Sequence, residues 1–128
     1  MKFLPGTYFA YKISEESRSE LLRLFATSFS KVICHHVTIE FNLTPEKLQT
    51  YSFDENTKVE VVGYARGDNI EALAIAINGE TERRDGSFYH VTLSLQQPAK
   101  PVDSNKLKNK VGRVRPVRLN GTFELLKK

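Results

Sequence analysis

A single cysteine, Cys34, stands in 128 residues. It cannot close an internal disulfide, which sets the chain apart from small stapled secreted domains and fits a reducing compartment. Long apolar runs are also missing. None approaches the roughly 18 residues a membrane helix needs, and the N-terminus lacks the apolar core of a secretory leader. A cytoplasmic protein with no membrane association is therefore expected. No Walker loop, dinucleotide fingerprint, C-x-x-C pair or H-E-x-x-H helix is present. Histidine is scarce as well, with three in the chain, and two of these fall in a repeated pattern.

What is there suits a single domain. At 40% hydrophobic and 27% charged residues, the chain can bury a core and keep a solvated surface. Its net charge of +4 is uneven. Nine basic residues against two acidic ones lie between Lys100 and Lys128. Such a tail either solvates its own surface or faces a polyanion.

The repeated pattern is His36-Val37-Thr38-Ile39 and His90-Val91-Thr92-Leu93. Both copies alternate β-branched and polar residues at period two, as strands do. Side chains two apart in a strand share a face. His36, Thr38 and Glu40 therefore project together, while Val37, Ile39 and Phe41 are directed into a core. In the second copy His90, Thr92 and Ser94 share a face opposite Val91, Leu93 and Leu95. If the strands come together, two imidazoles and two hydroxyls converge. One histidine can remove a proton while the other supplies one. Hydroxyls can donate to the non-bridging oxygens of a phosphate. The set suits a phosphodiester, and the scheme needs no metal or cofactor. A zinc site from Cys34, His36 and His90 is the competing chemistry, since Cys34 shares the His36 face by parity. It leaves both threonines without a role. His35 is expected on the opposite face, as a structural or surface residue.

The paired H-x-T-x motif resembles the 2H phosphoesterases. The resemblance implies an α+β fold of two lobes, about 1–56 and 57–128, with antiparallel sheets around a central cleft and helices outside. It implies a metal-independent phosphodiesterase in which His36 and His90 are catalytic and Thr38 and Thr92 bind phosphate. The substrate would be a cyclic oligonucleotide or a 2′-5′ or 3′-5′ linked nucleotide signal, as in phage counter-defence. An RNA 2′,3′-cyclic end is the alternative, and a non-catalytic nucleotide- or RNA-binding protein is a reading of another class. The opening Gly6-Thr7-Tyr8 with Ser14-Glu15-Glu16 is similar to the start of phage anti-CBASS phosphodiesterases. That likeness implies base stacking by Tyr8; a plain strand tyrosine fits the residues equally. The tract from Gly63 through Ser87–Thr92 to Pro101–Asn105 is similar to RNA-repair phosphoesterases. No obligatory protein partner is evident.

Along the chain, a first strand is expected over 6–13, with Phe9, Tyr11 and Ile13 facing the core. A helix over 15–29 follows, capped by Ser14 and apolar at Leu21, Leu22, Phe25 and Phe29. A short helix should begin at Thr44-Pro45. Residues 58–66 and 70–78 read as a hairpin, the second strand apolar enough to be central. The charged loop 80–87 offers Arg84 either to phosphate at the cleft rim or, as the residues alone favour, to solvent. A helix is expected over 103–110, and 113–118 with 121–126 read as a hairpin about Asn120-Gly121.

Overall fold

A computed structural model describes residues 2–128. The period-two segments form eight strands in two antiparallel sheets, and the fold is α+β. Strands β1 (Thr7–Ile13), β3 (His36–Glu40) and β8 (Gly121–Lys127) form one sheet, in the order β3-β1-β8. The other sheet runs β2-β6-β5-β4-β7, from β2 (Lys31–Val32), β6 (His90–Leu95), β5 (Ile70–Ile77), β4 (Val59–Arg66) and β7 (Gly112–Arg118). Every residue of β5 is buried. A strand apolar on both faces needs cover on both, and β5 indeed lies in the middle of its sheet. Among the described residues no helix is long and apolar enough to cross a membrane.

One apolar cluster draws on both sheets: Phe9, Tyr11, Val37 and Ile39 from the first, Val61, Ile75, Val91 and Leu93 from the second. A smaller one lies under the 3₁₀ helix Pro101–Lys110, around Ala72, Ala74, Phe88 and Leu107. This segment begins two residues before the expected helix and winds more tightly. Its three-residue repeat puts Ser104 and Leu107 on one buried side.

Two expectations are corrected here. Helix α1 spans Glu15–Leu24 and stops short of residue 29. The Ser14 hydroxyl caps it by accepting from the Ser17 N–H at 3.1 Å. Beyond Phe25, the Ser28 N–H donates to the Glu71 carboxylate at 2.7 Å and the Phe29 N–H to Ser94 Oγ at 3.2 Å. Both acceptors are buried on the five-stranded sheet, and satisfying them draws the chain out of the helix. The short α2 (Pro45–Leu48) starts as expected, with Thr44 Oγ1 accepting from Lys47 N–H.

Nor do the last two strands form a hairpin. β7 pairs with β4, and β8 pairs with β1. Buried Leu119 sits at the crossing, its N–H donating to the Val59 carbonyl at 2.8 Å. Because β2 belongs to the five-stranded sheet and β8 to the three-stranded one, each sheet takes a strand from the other half of the chain. The sheets thus do not divide at residue 57. Gly121 is needed for close approach: a Cβ there would overlap the Lys12 carbonyl oxygen and come within 2.9 Å of the Tyr11 ring. Gly121→Ala should therefore lower unfolding stability by about 1–3 kcal/mol, the usual cost of overpacking, in chemical denaturation. An unchanged midpoint would mean that β8 does not lie against Lys12.

Candidate active site

The two motif strands lie in different sheets and share no ladder. They are brought together by a pivot. The chain runs beside β6 as far as Cys34, with Ile33 N–H donating to the Leu93 carbonyl and Cys34 N–H to the Thr92 carbonyl, each at 2.9 Å. Cys34 then takes φ +45°, a left-handed conformation costly for a residue with a Cβ. The His35 carbonyl next accepts the Ile13 N–H at 3.0 Å, and His36 begins β3 opposite Lys12. Within two residues the backbone passes from the strand of one motif to that of the other. The parity reading of Cys34 and His36 fails at this kink. Cys34 is fully buried, and burial pushes its thiol up to about 11, unfavourable for a thiolate ligand. Among the described residues no group of three His, Cys, Asp or Glu side chains could hold a metal ion.

His36, Thr38, His90 and Thr92 line one cleft of about 710 Å³, with Tyr8, Phe41, Asn42, Lys47, Arg83, Asp85, Asn105 and Lys128. His90 is 9% exposed. Its Nδ1 is 2.8 Å from the Phe88 carbonyl. A carbonyl only accepts, so Nδ1 carries the hydrogen and the neutral ring keeps its lone pair on Nε2. His36 is half-buried. Its Nδ1 is 2.9 Å from Nδ1 of His35, and its Nε2 is 3.4 Å from the Tyr8 hydroxyl. Thr92 Oγ1 is 2.8 Å from Oγ of buried Ser104. Thr38 has no side-chain hydrogen bond among the described residues, so its hydroxyl is free for a ligand. Tyr8 lies at the cleft wall, its ring centroid 5.5 Å from that of His36 and 6.1 Å from that of Phe41.

Arg84, singled out for the cleft rim, is kept away from the cleft. Its guanidinium lies 3.8 Å from the centroid of the Tyr51 ring and donates to Thr50. Its neighbour Arg83 faces the cleft, only 3% exposed. Arg83 Nε and Nη2 each donate to Asp85 at 2.9 Å, and Nη2 also donates to Asn105 Oδ1 at 2.8 Å. The guanidinium sits 5.0 Å from the Phe41 ring centroid. The Asp85-Gly86 dipeptide was the signal available for this. Gly86, at φ +90°, closes a turn back to the Arg83 carbonyl, and that turn aims Arg83 inward. Lys47 and Lys128 add positive charge at the rim.

Both cleft histidines are held neutral. His36 is lowered to about 4 by burial and then by His35 and His90. His90 is lowered to about 4 by burial, with Arg83 adding to the effect and the Phe88 carbonyl and Asp85 opposing it. No family model, curated protein or solved structure matches the chain, so the chemistry of the cleft stands by itself.

The lowered histidines predict a pH dependence of stability. The unfolded chain, with imidazoles near about 6.5, binds more protons than the folded one between there and about 4. Their contribution is present above about 6.5 and is lost as the pH falls toward 4. Melting temperature should drop across that window, and the drop should be smaller in a His36→Gln/His90→Gln double variant. Equal losses in both proteins would show that these rings are not desolvated.

Proposed function

We propose that the chain is a metal-independent phosphodiesterase of the 2H type. The observation that carries this is that both H-x-T pairs open onto one cleft together with a buried arginine. Their two sheets would be the two lobes of that architecture. His90 is the general base: its Nδ1–H is fixed on a carbonyl, and nearby Arg83 disfavours its charged form. Its Nε2 takes the proton from the attacking water or ribose hydroxyl as that oxygen bonds to phosphorus. The bond to the leaving oxygen breaks, and that oxygen receives a proton from Nε2 of His36. The arriving phosphate supplies the negative charge that raises His36 enough to hold this proton. Thr38, Thr92 and Arg83 hold the non-bridging oxygens as charge builds on them. The Thr92 hydrogen turns to the phosphate while Ser104 donates to its oxygen.

The cleft volume lies within the range of small-ligand sites. It suits a cyclic oligonucleotide or a short 2′-5′ or 3′-5′ linked signal, with Tyr8 or Phe41 against a base. An RNA 2′,3′-cyclic end is favoured by one feature: exposed Arg113 and Arg115 on the edge strand β7 could follow a strand's phosphates. The free buried thiol of Cys34 is in keeping with a cytoplasmic protein.

His36→Ala and His90→Ala should each reduce turnover about 10²–10⁴-fold, with activity persisting in EDTA and a bell-shaped pH profile. Either variant keeping more than about a tenth of the activity would rule out this acid–base pair, since positioned proton transfer is worth more than that. Tight binding of both substrate classes without turnover would favour a binding protein instead. Product analysis with each substrate separates the two classes, and a steep salt dependence marks the longer strand. Arg83→Gln should raise KM and lower kcat, whereas Arg84→Ala should leave both unchanged.

A further inference from the structure

His35 does not point away from the catalytic face. The left-handed turn at Cys34 carries its ring round to His36, where the two imidazoles meet edge to face at 84°. Their Nδ1 atoms are 2.9 Å apart. Such a contact holds one hydrogen, so one ring donates and the other accepts. The far side of His36 decides which. A phenolic O–H is a good donor and a poor acceptor, while an imidazole lone pair is a good acceptor. The Tyr8 hydroxyl, 3.4 Å from His36 Nε2, is thus better placed to donate to that nitrogen than to accept from it. With the lone pair on Nε2, the hydrogen of His36 is on Nδ1.

We infer that His35 is the positioning residue of His36: its Nδ1 accepts the His36 Nδ1–H and so presents the His36 Nε2 lone pair to the cleft. His35 then carries its own hydrogen on Nε2, which its exposed position leaves to water. His35 does for His36 what the Phe88 carbonyl does for His90. Both rings are held at Nδ1, and both residues line the same cleft. During turnover His36 would be protonated on Nε2, donate that proton to the leaving oxygen and return to the same neutral tautomer. The Nδ1–H···Nδ1 bond would persist throughout. This role in turnover rests on the phosphodiesterase reading, but the tautomer does not.

Long-range ¹H–¹⁵N correlation of the imidazoles at mildly alkaline pH, without substrate, tests the inference. In the wild-type chain His36 should show a protonated Nδ1 and a bare Nε2, as His90 does. In His35→Leu the His36 signals should shift toward the Nε2–H form that free imidazole prefers, with His90 unchanged. His35→Asp, whose carboxylate can only accept, should restore the first pattern. Where turnover is present, His35→Leu should lower kcat about 10–100-fold with little change in KM, the scale typical of lost second-sphere hydrogen bonds, and Asp should recover most of it. A bare Nδ1 on His36 in the wild type, or a tautomer unmoved by His35→Leu, would overturn the proposal. A chain with the expected tautomers but no turnover would sink the phosphodiesterase reading and leave this one standing.

Discussion

The left-handed backbone at Cys34 is the constraint on which the cleft depends. Strands in separate sheets have no ladder to set their relative position. Here the chain is bonded to the Thr92 carbonyl at Cys34 and to β1 at His35, so His36 is placed by two backbone hydrogen bonds directed to different sheets. The apolar residues then lock the arrangement. Val37 and Ile39 meet Val91 and Leu93 in the shared core, each buried side chain contributing about 1.5–3 kcal/mol over its exposed state. That far exceeds the roughly 1–2 kcal/mol of a single left-handed residue, which is why the kink can persist. The same alternation that buries the valines turns the histidines and threonines toward the cleft.

Burial has a second consequence. Imidazoles removed from water favour their neutral forms, so the resting cleft offers two lone pairs and a buried guanidinium. Asp85 and Asn105 satisfy Nε and Nη2 of Arg83. Nη1 has no hydrogen-bond partner among the described residues. On the proposed reading, a phosphate entering this space would meet donors from Thr38 and Arg83 and would bring the negative charge that makes an imidazolium tolerable. The ligand itself would thereby shift one histidine from base to acid.

Much of this was legible from period two alone. The alternation in His36–Ile39 and His90–Leu93 places the histidines and threonines on one face and the aliphatic residues on the other. Beyond that it fails, since Phe41 lines the cleft and a register shift in β6 separates Ser94 from Thr92 and puts Leu95 with Ala72 and Ala74. The apolar run 70–78 marks a central strand for the same reason. What parity counting cannot see is a break in the strand, and Cys34 is such a break, so His35 and Cys34 were placed on the wrong faces. Turn chemistry misled at Asn120-Gly121, where the dipeptide marks a crossing between sheets and its glycine answers to the Lys12 carbonyl and the Tyr11 ring. The loop 80–87 offered two adjacent arginines with equal propensity. Only the turn closed by Gly86 and the inward Asp85 contact distinguish Arg83 from Arg84. Helix α1 ended early for a reason far away in sequence, the buried acceptors Glu71 and Ser94.

The central claim is that one phosphate is gripped from both sheets at once. The most direct measurement follows the ¹⁵N signals of His36 and His90 while a non-hydrolysable phosphorothioate dinucleotide is added. The account predicts that both Nε2 resonances move along a single binding curve, with one affinity, and that Arg83→Gln weakens that affinity for both together. Movement of one histidine alone, or of the two along different curves, would mean that they face separate spaces and do not form one acid–base pair.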